Sequence, residues 1–577
     1  MNSKFKKSIS ICMATLLSTS MLAAVGCGGN EGPSSDSEIK PTSNNTFYTI
    51  SAYDGGYGQE WLKKLCNELM FELKDVSFEP GKKGVYIDIV GDKSETEDAD
   101  VKGGSTDVDL YISSSGDPSK YLGVSGGKID FNNVYAYDIT EILNRKVFNS
   151  DGEVEFSEDK TSFKTSDINQ SLLDRMDEEI VDTWNFGKAT GAPSDEIYYF
   201  LPFEDVPCGY IIDWDFMKEQ GLDNGTGIEG MPGTMEEFYS VLERLQGYFS
   251  GWTAASGIHH YLSCFENSIR AKVDGVEKFK DMTFFLNDSE GYDFNGNGTI
   301  EEDEKISFDV STPKSSNAYL ATQTSGYKAA IEFTMKMNWR DGSNTYYDSE
   351  AFKKSFRDMQ KDFVMSKEST KRQRIAMIYE GEWWENEVQA IFRQMGSLNA
   401  DNDYGKRDFR MMPCPAVSEN DAESKYLLSS KATSIIFVNP NSVKAGSVKE
   451  KLTEMVLQYI FSRHGLATLN TTTSITMPAY KYTLTDEEYK SLTKFGQWMY
   501  RLNYQYTEEY RYFRVSAVER FIKNPALFVR NIPITYKGPL LNVFNTYSRD
   551  GKLYDKTVDW YVDDYQTYYK NLFSNMS

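Results

Sequence analysis

From residue 47 the chain alternates apolar and polar side chains through FYTISAY, the period of a half-buried strand, so a strand is expected over 47–53. A glycine-rich turn, DGGYG (54–58), follows. In 59–74 the apolar positions Trp61, Leu62, Leu65, Cys66, Leu69 and Leu73 recur at helical spacing. Two further strand-like runs stand at 85–90 (VYIDIV) and 108–113 (VDLYIS). Strand, glycine turn, helix and two more strands form the pattern of an open α/β lobe. Ligands of such sheets bind beyond the carboxyl ends of the strands, which is where the turn at 54–58 falls. Its glycines let the backbone approach a ligand, and the helix that follows offers free N–H donors. No repeat of fixed period runs through the chain, which excludes a solenoid.

The first residues carry a different pattern. Lys4, Lys6 and Lys7 precede an apolar run over 9–25 that ends in small residues before Cys27, the layout of a secretory signal. Ala24-Val25-Gly26-Cys27 resembles the lipobox of bacterial lipoproteins, which implies removal of 1–26 and acyl chains on Cys27. Residues 27–45 then form a polar tether that holds a folded body at the outer face of the membrane without ordering itself. A plain secreted protein cut near Gly26 is the alternative. Later segments lack the ~20 consecutive apolar residues of a membrane span, and mean hydropathy is -0.53.

Charge narrows the partners. The net charge is -24, and loss of the signal, with three Lys and no acid, lowers it to -27. Phosphate binding needs clustered Lys and Arg, so nucleic acid is excluded, as is charge-driven binding to anionic lipid. A neutral ligand suits this surface. The 38 Tyr and 9 Trp mostly belong to core and interfaces, yet leave ample material for stacking on sugar rings. Cys66, Cys208, Cys264 and Cys414 are far apart and form no CxxC, so no zinc ribbon or redox motif is present; disulfides and free buried thiols both remain open.

Eight segments in order carry a resemblance to the extracellular solute-binding proteins that deliver sugars to ABC importers, the maltose-binding-protein-like family. They are ISAYDGGYGQEW, SSSGDPSKYL, YAYDITEIL, YYFLPFEDVPCGYIIDWDFMKEQGL, MPGTMEEFYSVLERL, RIAMIYEGEWWENEV, FRMMPCPAV and VKEKLTEMVLQYIFSRHGLATLN. The resemblance spans nearly all of the chain after the tether. It implies an α/β, two-lobe periplasmic-binding-protein-like fold with a hinge and a central cleft. Lobe one would hold 46–205 and 418–471, and lobe two 206–417 and 472–577. Extra material relative to the family lies at 144–195, 268–317 and after Tyr500. The implied partners are a carbohydrate, ABC permease subunits, and the membrane through the lipid anchor alone.

By the same resemblance, one of Trp383 and Trp384 is expected to stack on a pyranose and the other to pack, since adjacent residues cannot both face one site on a strand. Trp252, in the loop FSGWTAASG, and Tyr480, in TMPAYKY, are further stacking candidates, each with core packing as the rival. Backbone and polar contacts are expected from Asp54, Gly55, Gly56, Tyr57, Ser114, Glu204 and Asp205, because carboxylates accept paired hydrogen bonds from vicinal hydroxyls. Asp205 is weighted by its place at the crossover between lobes.

Residues 293–304 match the twelve-residue EF-hand loop. Asp293, Asn295 and Asn297 take positions 1, 3 and 5, with Gly298 at the turn. The Thr299 carbonyl, Glu301 and Glu304 take positions 7, 9 and 12. A structural Ca²⁺ is therefore expected, pinning an inserted loop between strand-like flanks FFLND and KISFDV; a solvated acidic turn is the alternative. Enzyme patterns are weaker. GVSGG (123–127) fits GxSxG without the strand-to-helix context of a nucleophile elbow, and GTGIEG (225–230) follows no strand. His259 and His260 lack HExxH spacing, His464 belongs to a helix-end turn, and no P-loop exists. A non-enzymatic receptor is expected. A cell-surface glycosidase using two carboxylates is one alternative. An adhesion or scaffold lipoprotein using WMYRLNYQYTEEYRYF is another, although a helix closing lobe two accounts for that segment.

Overall fold

The computed structural model describes residues 39–248, 258–287, 290–295, 297–309, 311–338, 355–368, 374–430, 434–529 and 557–576. Cys27, Trp252 and the signal and tether up to residue 38 lie outside them. Residues 40–577 form one compact unit.

Twelve strands are found among the described residues. In chain order they are β1 (Thr46–Ala52), β2 (Val85–Val90), β3 (Leu110–Ser113), β4 (Leu122–Ser125), β5 (Lys128–Val134) and β6 (Phe200–Phe203). Then come β7 (Cys208–Asp213), β8 (Met377–Gly381), β9 (Phe409–Met412), β10 (Tyr426–Ser429), β11 (Ser434–Val438) and β12 (Tyr510–Phe513). The fold is α/β with two lobes, each centred on its own sheet. The first sheet has the order β2-β1-β3-β11-β6. Its β1 is parallel to β2 and β3, whereas β11 returns antiparallel between β3 and β6. The second sheet, β8-β7-β9, is antiparallel throughout.

Burial explains both. In β1 residues Thr46, Tyr48 and Ile50 are buried, while Phe47 points to solvent. Helix Glu60–Leu73 buries the apolar stripe that its spacing predicts. Tyr111 stacks on Phe437 at 4.8 Å and Tyr121 packs on the same ring at 4.2 Å, which joins β3 to β11. All six residues of β7 are buried, so it reads as a continuous apolar run rather than an alternating one. Tyr210 meets Tyr379 of β8 edge-on at 4.8 Å and Phe265 at 5.1 Å. After β6 the chain enters the second sheet within five residues. It comes back between β9 and β11 through β10, which pairs parallel with β12.

Several local expectations are corrected. His464 is not in a helix-end turn: helix Val448–Ile460 stops before it, and a second helix, Arg463–Thr473, begins under a Ser462 cap that accepts from Gly465 N. His464 therefore lies in the first turn of that helix, with Nε2 2.7 Å from Glu68 Oε2. Residues 284–287 and 305–309 are not strands. Their apolar positions Phe285, Ile306 and Phe308 instead pack on helix Val558–Ser574, with Phe573 5.7 Å from both Phe285 and Phe308. The aromatic segment at 498–513 is helical only to Tyr504 and becomes β12 at Tyr510. Ser125 ends β4 at a hairpin turn into β5, which rules out a nucleophile elbow there. All four described cysteines are free and buried. Among the described residues no helix is long and apolar enough to cross a membrane.

Candidate functional site

The turn after β1, the crossover after β6 and the turn after β8 converge where the two lobes touch. Gly56 has φ +85°, and a Cβ there would lie 2.9 Å from Trp383 Cβ, so only glycine admits this approach. Asn386 Nδ2 donates to the Gly56 carbonyl across the same contact. Trp383 is 7 % exposed. Tyr57 rests on Phe203 at 5.1 Å, which in turn stacks on Trp61 at 5.9 Å. The Tyr57 hydroxyl is buried without a hydrogen-bond partner. Burial, and then the charges of Glu204, Glu382 and Asp205, hold this phenol well above its ordinary pKa.

Carboxylates dominate the polar side. Glu204 is buried in a left-handed backbone conformation (φ +50°) and accepts from the Ser434 hydroxyl at 2.7 Å. Asp205 accepts from Tyr512 Oη at 2.6 Å and from Arg514 Nε, and the Arg514 guanidinium lies 4.7 Å over the Tyr512 ring. Glu382 accepts from Thr476 N at 2.6 Å and Thr476 Oγ1 at 3.0 Å. Burial pushes its carboxyl up to about 7 against these two bonds. Burial raises the phenols of Tyr482, Tyr504 and Tyr510, and the Glu382 charge adds to each. The Tyr510 hydroxyl is buried without a hydrogen-bond partner.

Of the residues expected from the sequence, Gly56, Tyr57, Glu204, Asp205 and Trp383 are brought together here. Gly55 lies under the Tyr53 ring, where a Cβ would fall 2.0 Å from Tyr53 Cε1. Asp54 is exposed on the same turn, and its carbonyl accepts from Gly58 N at 2.7 Å. Ser114 donates its backbone N–H to Ser94 Oγ at 2.9 Å. Burial raises the Tyr53 phenol to about 12, followed by the charges of Glu204, Glu387, Asp92 and Asp54.

Trp384 and Tyr480 take the packing roles that the sequence offered beside stacking. Trp384 has no exposed surface and is enclosed by Phe363, Phe392, Phe409 and Phe495 at 5.1–5.8 Å, leaving no free face for a sugar. Tyr480 is 1 % exposed, stacks on Phe461 at 4.4 Å and donates to the Pro202 carbonyl at 3.1 Å, so ring and hydroxyl are both committed to packing. Sequence reasoning missed Glu382, Thr476, Tyr510, Tyr512, Arg514 and Ser434. An acid directly before Trp383, at the end of an apolar strand, was the one local signal available.

In the 293–304 loop, Asp293 Oδ1 accepts from Asn297 N at 3.1 Å and Oδ2 from Gly298 N at 2.7 Å. Asn297 Oδ1 accepts from Thr299 N at 2.7 Å, and Glu304 Oε1 from Phe294 N at 3.0 Å. Glu301 accepts from Asn295 Nδ2 at 3.1 Å and from Asn297 Nδ2 at 2.9 Å. Gly298 takes φ +83°, as position 6 of a cation loop requires. Side-chain oxygens of Asp293, Asn297 and Glu304 thus cap a tight turn. Among the described residues, however, no group of three or more His, Cys, Asp and Glu is spaced to hold a metal.

No family model and no curated protein sequence matches the chain. Solved structures do. A chitin oligosaccharide binding protein is 12 % identical, with a TM-score of 0.50 over 92 % of this chain and 100 % of its own. A "probable secreted solute-binding lipoprotein" from Streptomyces coelicolor is 10 % identical, with a TM-score of 0.54 over 92 % of this chain and 100 % of its own. The fold is therefore that of the solute-binding proteins, over the whole length of both neighbours.

Proposed function

We propose that this chain is the substrate-binding component of a carbohydrate ABC importer, anchored by lipid on Cys27 at the outer face of the cell membrane. It captures a sugar or oligosaccharide between its lobes and delivers it to the permease. The observation that carries this reading is the junction itself: an aromatic ring, Trp383, meets buried carboxylates and unpartnered hydroxyls where the lobes touch. Contacts made only with the lobes closed make ligand binding favour closure, and closure presents both lobes to the permease. The name of one structural neighbour, a chitin oligosaccharide binding protein, supports the same class of ligand, and that of the other, a solute-binding lipoprotein, supports the binding role. A thermal-shift screen of residues 28–577 against mono- and oligosaccharides tests it. A sugar that raises Tm and is recovered intact marks a receptor; a sugar that is shortened marks a glycosidase; no response to any sugar removes the proposal.

Ca²⁺ in the 293–304 loop belongs to the same reading as a structural ion held by Asp293, Asn295, Asn297, the Thr299 carbonyl, Glu301 and Glu304. Calorimetric titration of EDTA-treated protein is expected to show one site, lost in Asp293→Ala. Absence of heat in the parent protein rejects the ion.

A further inference from the structure

A cavity of ≈ 620 Å³ opens between segment 149–177 and segment 478–505, within the ~300–1,000 Å³ of small-molecule sites. Tyr482, Tyr500 and Tyr504 build one wall. Tyr504 lies 5.0 Å from Tyr500 and 5.2 Å from Tyr482 by ring centroids, a continuous aromatic surface. Asn503 lines the same cavity. Its Nδ2 donates to Thr476 Oγ1 at 2.8 Å, while Oδ1 is buried without a hydrogen-bond partner. Gln170 and Gln505 line the cavity as exposed amides.

The charged groups at this cavity are largely committed to the fold. Arg175 donates to the carbonyls of Gly152 and Lys481 and lies 4.6 Å over Phe148. Asp174 is engaged by the Ser171 cap, and Asp177 by Glu179 N and Arg514. Asp151, Asp174 and Asp177 outnumber Arg175 and Lys481, which disfavours an anion. The exposed amides of Gln170 and Gln505, the aromatic faces and the Asn503 carbonyl oxygen remain, a donor, acceptor and stacking set for a neutral polyol.

We propose that this cavity is a second saccharide site, for a short neutral oligosaccharide, separated from Trp383 by the wall of Tyr482, Asn503 and Tyr504. The inference rests on the sugar-receptor reading above, and the two fail differently. Calorimetry of residues 28–577 with maltotriose, cellotriose, raffinose and chitotriose is the test, with Gln170→Ala, Asn503→Ala and Trp383→Ala variants of matched Tm. Two sites are expected for a sugar that binds. One is weakened at least tenfold by Gln170→Ala or Asn503→Ala and the other by Trp383→Ala. A single site lost in Trp383→Ala but untouched by the cavity changes overturns the second site and leaves the receptor reading intact. A single site weakened by all three variants overturns the separation. No heat with any of the four sugars overturns both.

Discussion

Trp383 and Trp384 differ by one position and by almost everything else. They begin a helical turn, so their side chains leave it about 100° apart; one reaches the lobe contact at Gly56, the other the aromatic core of the second sheet. Trp384→Ala should therefore cost roughly 3–5 kcal/mol of stability by opening a cavity, read from urea unfolding. Trp383→Ala, at the lobe contact, should lose less stability than Trp384→Ala and weaken sugar binding at least tenfold, about 1.4 kcal/mol, read by calorimetry. Equal stability losses would refute the assignment. Glu382 allows a pH test. Burial raises its carboxyl from an ordinary 4.5 to about 7, so the folded protein holds the proton more tightly than the unfolded chain. Its contribution is greatest below pH 4.5 and is lost as pH rises through 7, up to roughly 3 kcal/mol. Glu382→Gln should thus gain Tm relative to the parent from pH 5 to pH 8; a constant difference would contradict the buried, titrating acid. The necessity for an acid at this place was not legible in the sequence. Thr476, Tyr510 and Glu382 lie on segments far apart along the chain, and only the fold brings them together.

Among the elements, those set by local periodicity were the legible ones. Strand 85–90 coincides with β2, and helix Glu60–Leu73 buries the stripe its spacing marks. Segments whose apolar residues serve distant partners were misread. The 284–287 and 305–309 flanks look strand-like because Phe285, Ile306 and Phe308 fill the face of helix Val558–Ser574, a tertiary demand with the same spacing. Nor does periodicity mark the ion cluster that holds β7 to its neighbours. Asp213, with no exposed side-chain surface, accepts from both Arg407 and Arg374 and caps helix Trp214–Glu219. Asp213→Ala strands two guanidinium groups, one of them fully buried, and should destabilise by about 3–5 kcal/mol. A loss below about 1 kcal/mol in urea unfolding would show the cluster to be solvated.

At the scale of the molecule, the lobes meet at several places: Gly56 against Trp383 and Asn386, Arg514 reaching Asp205 and Asp177, Tyr480 on the Pro202 carbonyl and Lys280 on Glu179. An open α/β lobe was legible from strand, turn and helix order, because those follow from short-range pattern; the second lobe was implied only by the family resemblance. The junction's chemistry was legible only in part: Gly56, Tyr57, Glu204, Asp205 and Trp383 sit on turns after strands, where ligands of such sheets bind. A strongly acidic chain with this junction should take neutral sugars in preference to uronic or sialic acids. The most direct measurement is a crystal structure of residues 28–577 with the sugar that most raises Tm. The account predicts that sugar between the 54–57 turn and Trp383, with its hydroxyls on Glu204, Glu382 or Tyr57. A sugar bound only elsewhere, with the contact of Trp383 and Gly56 empty of it, would contradict it.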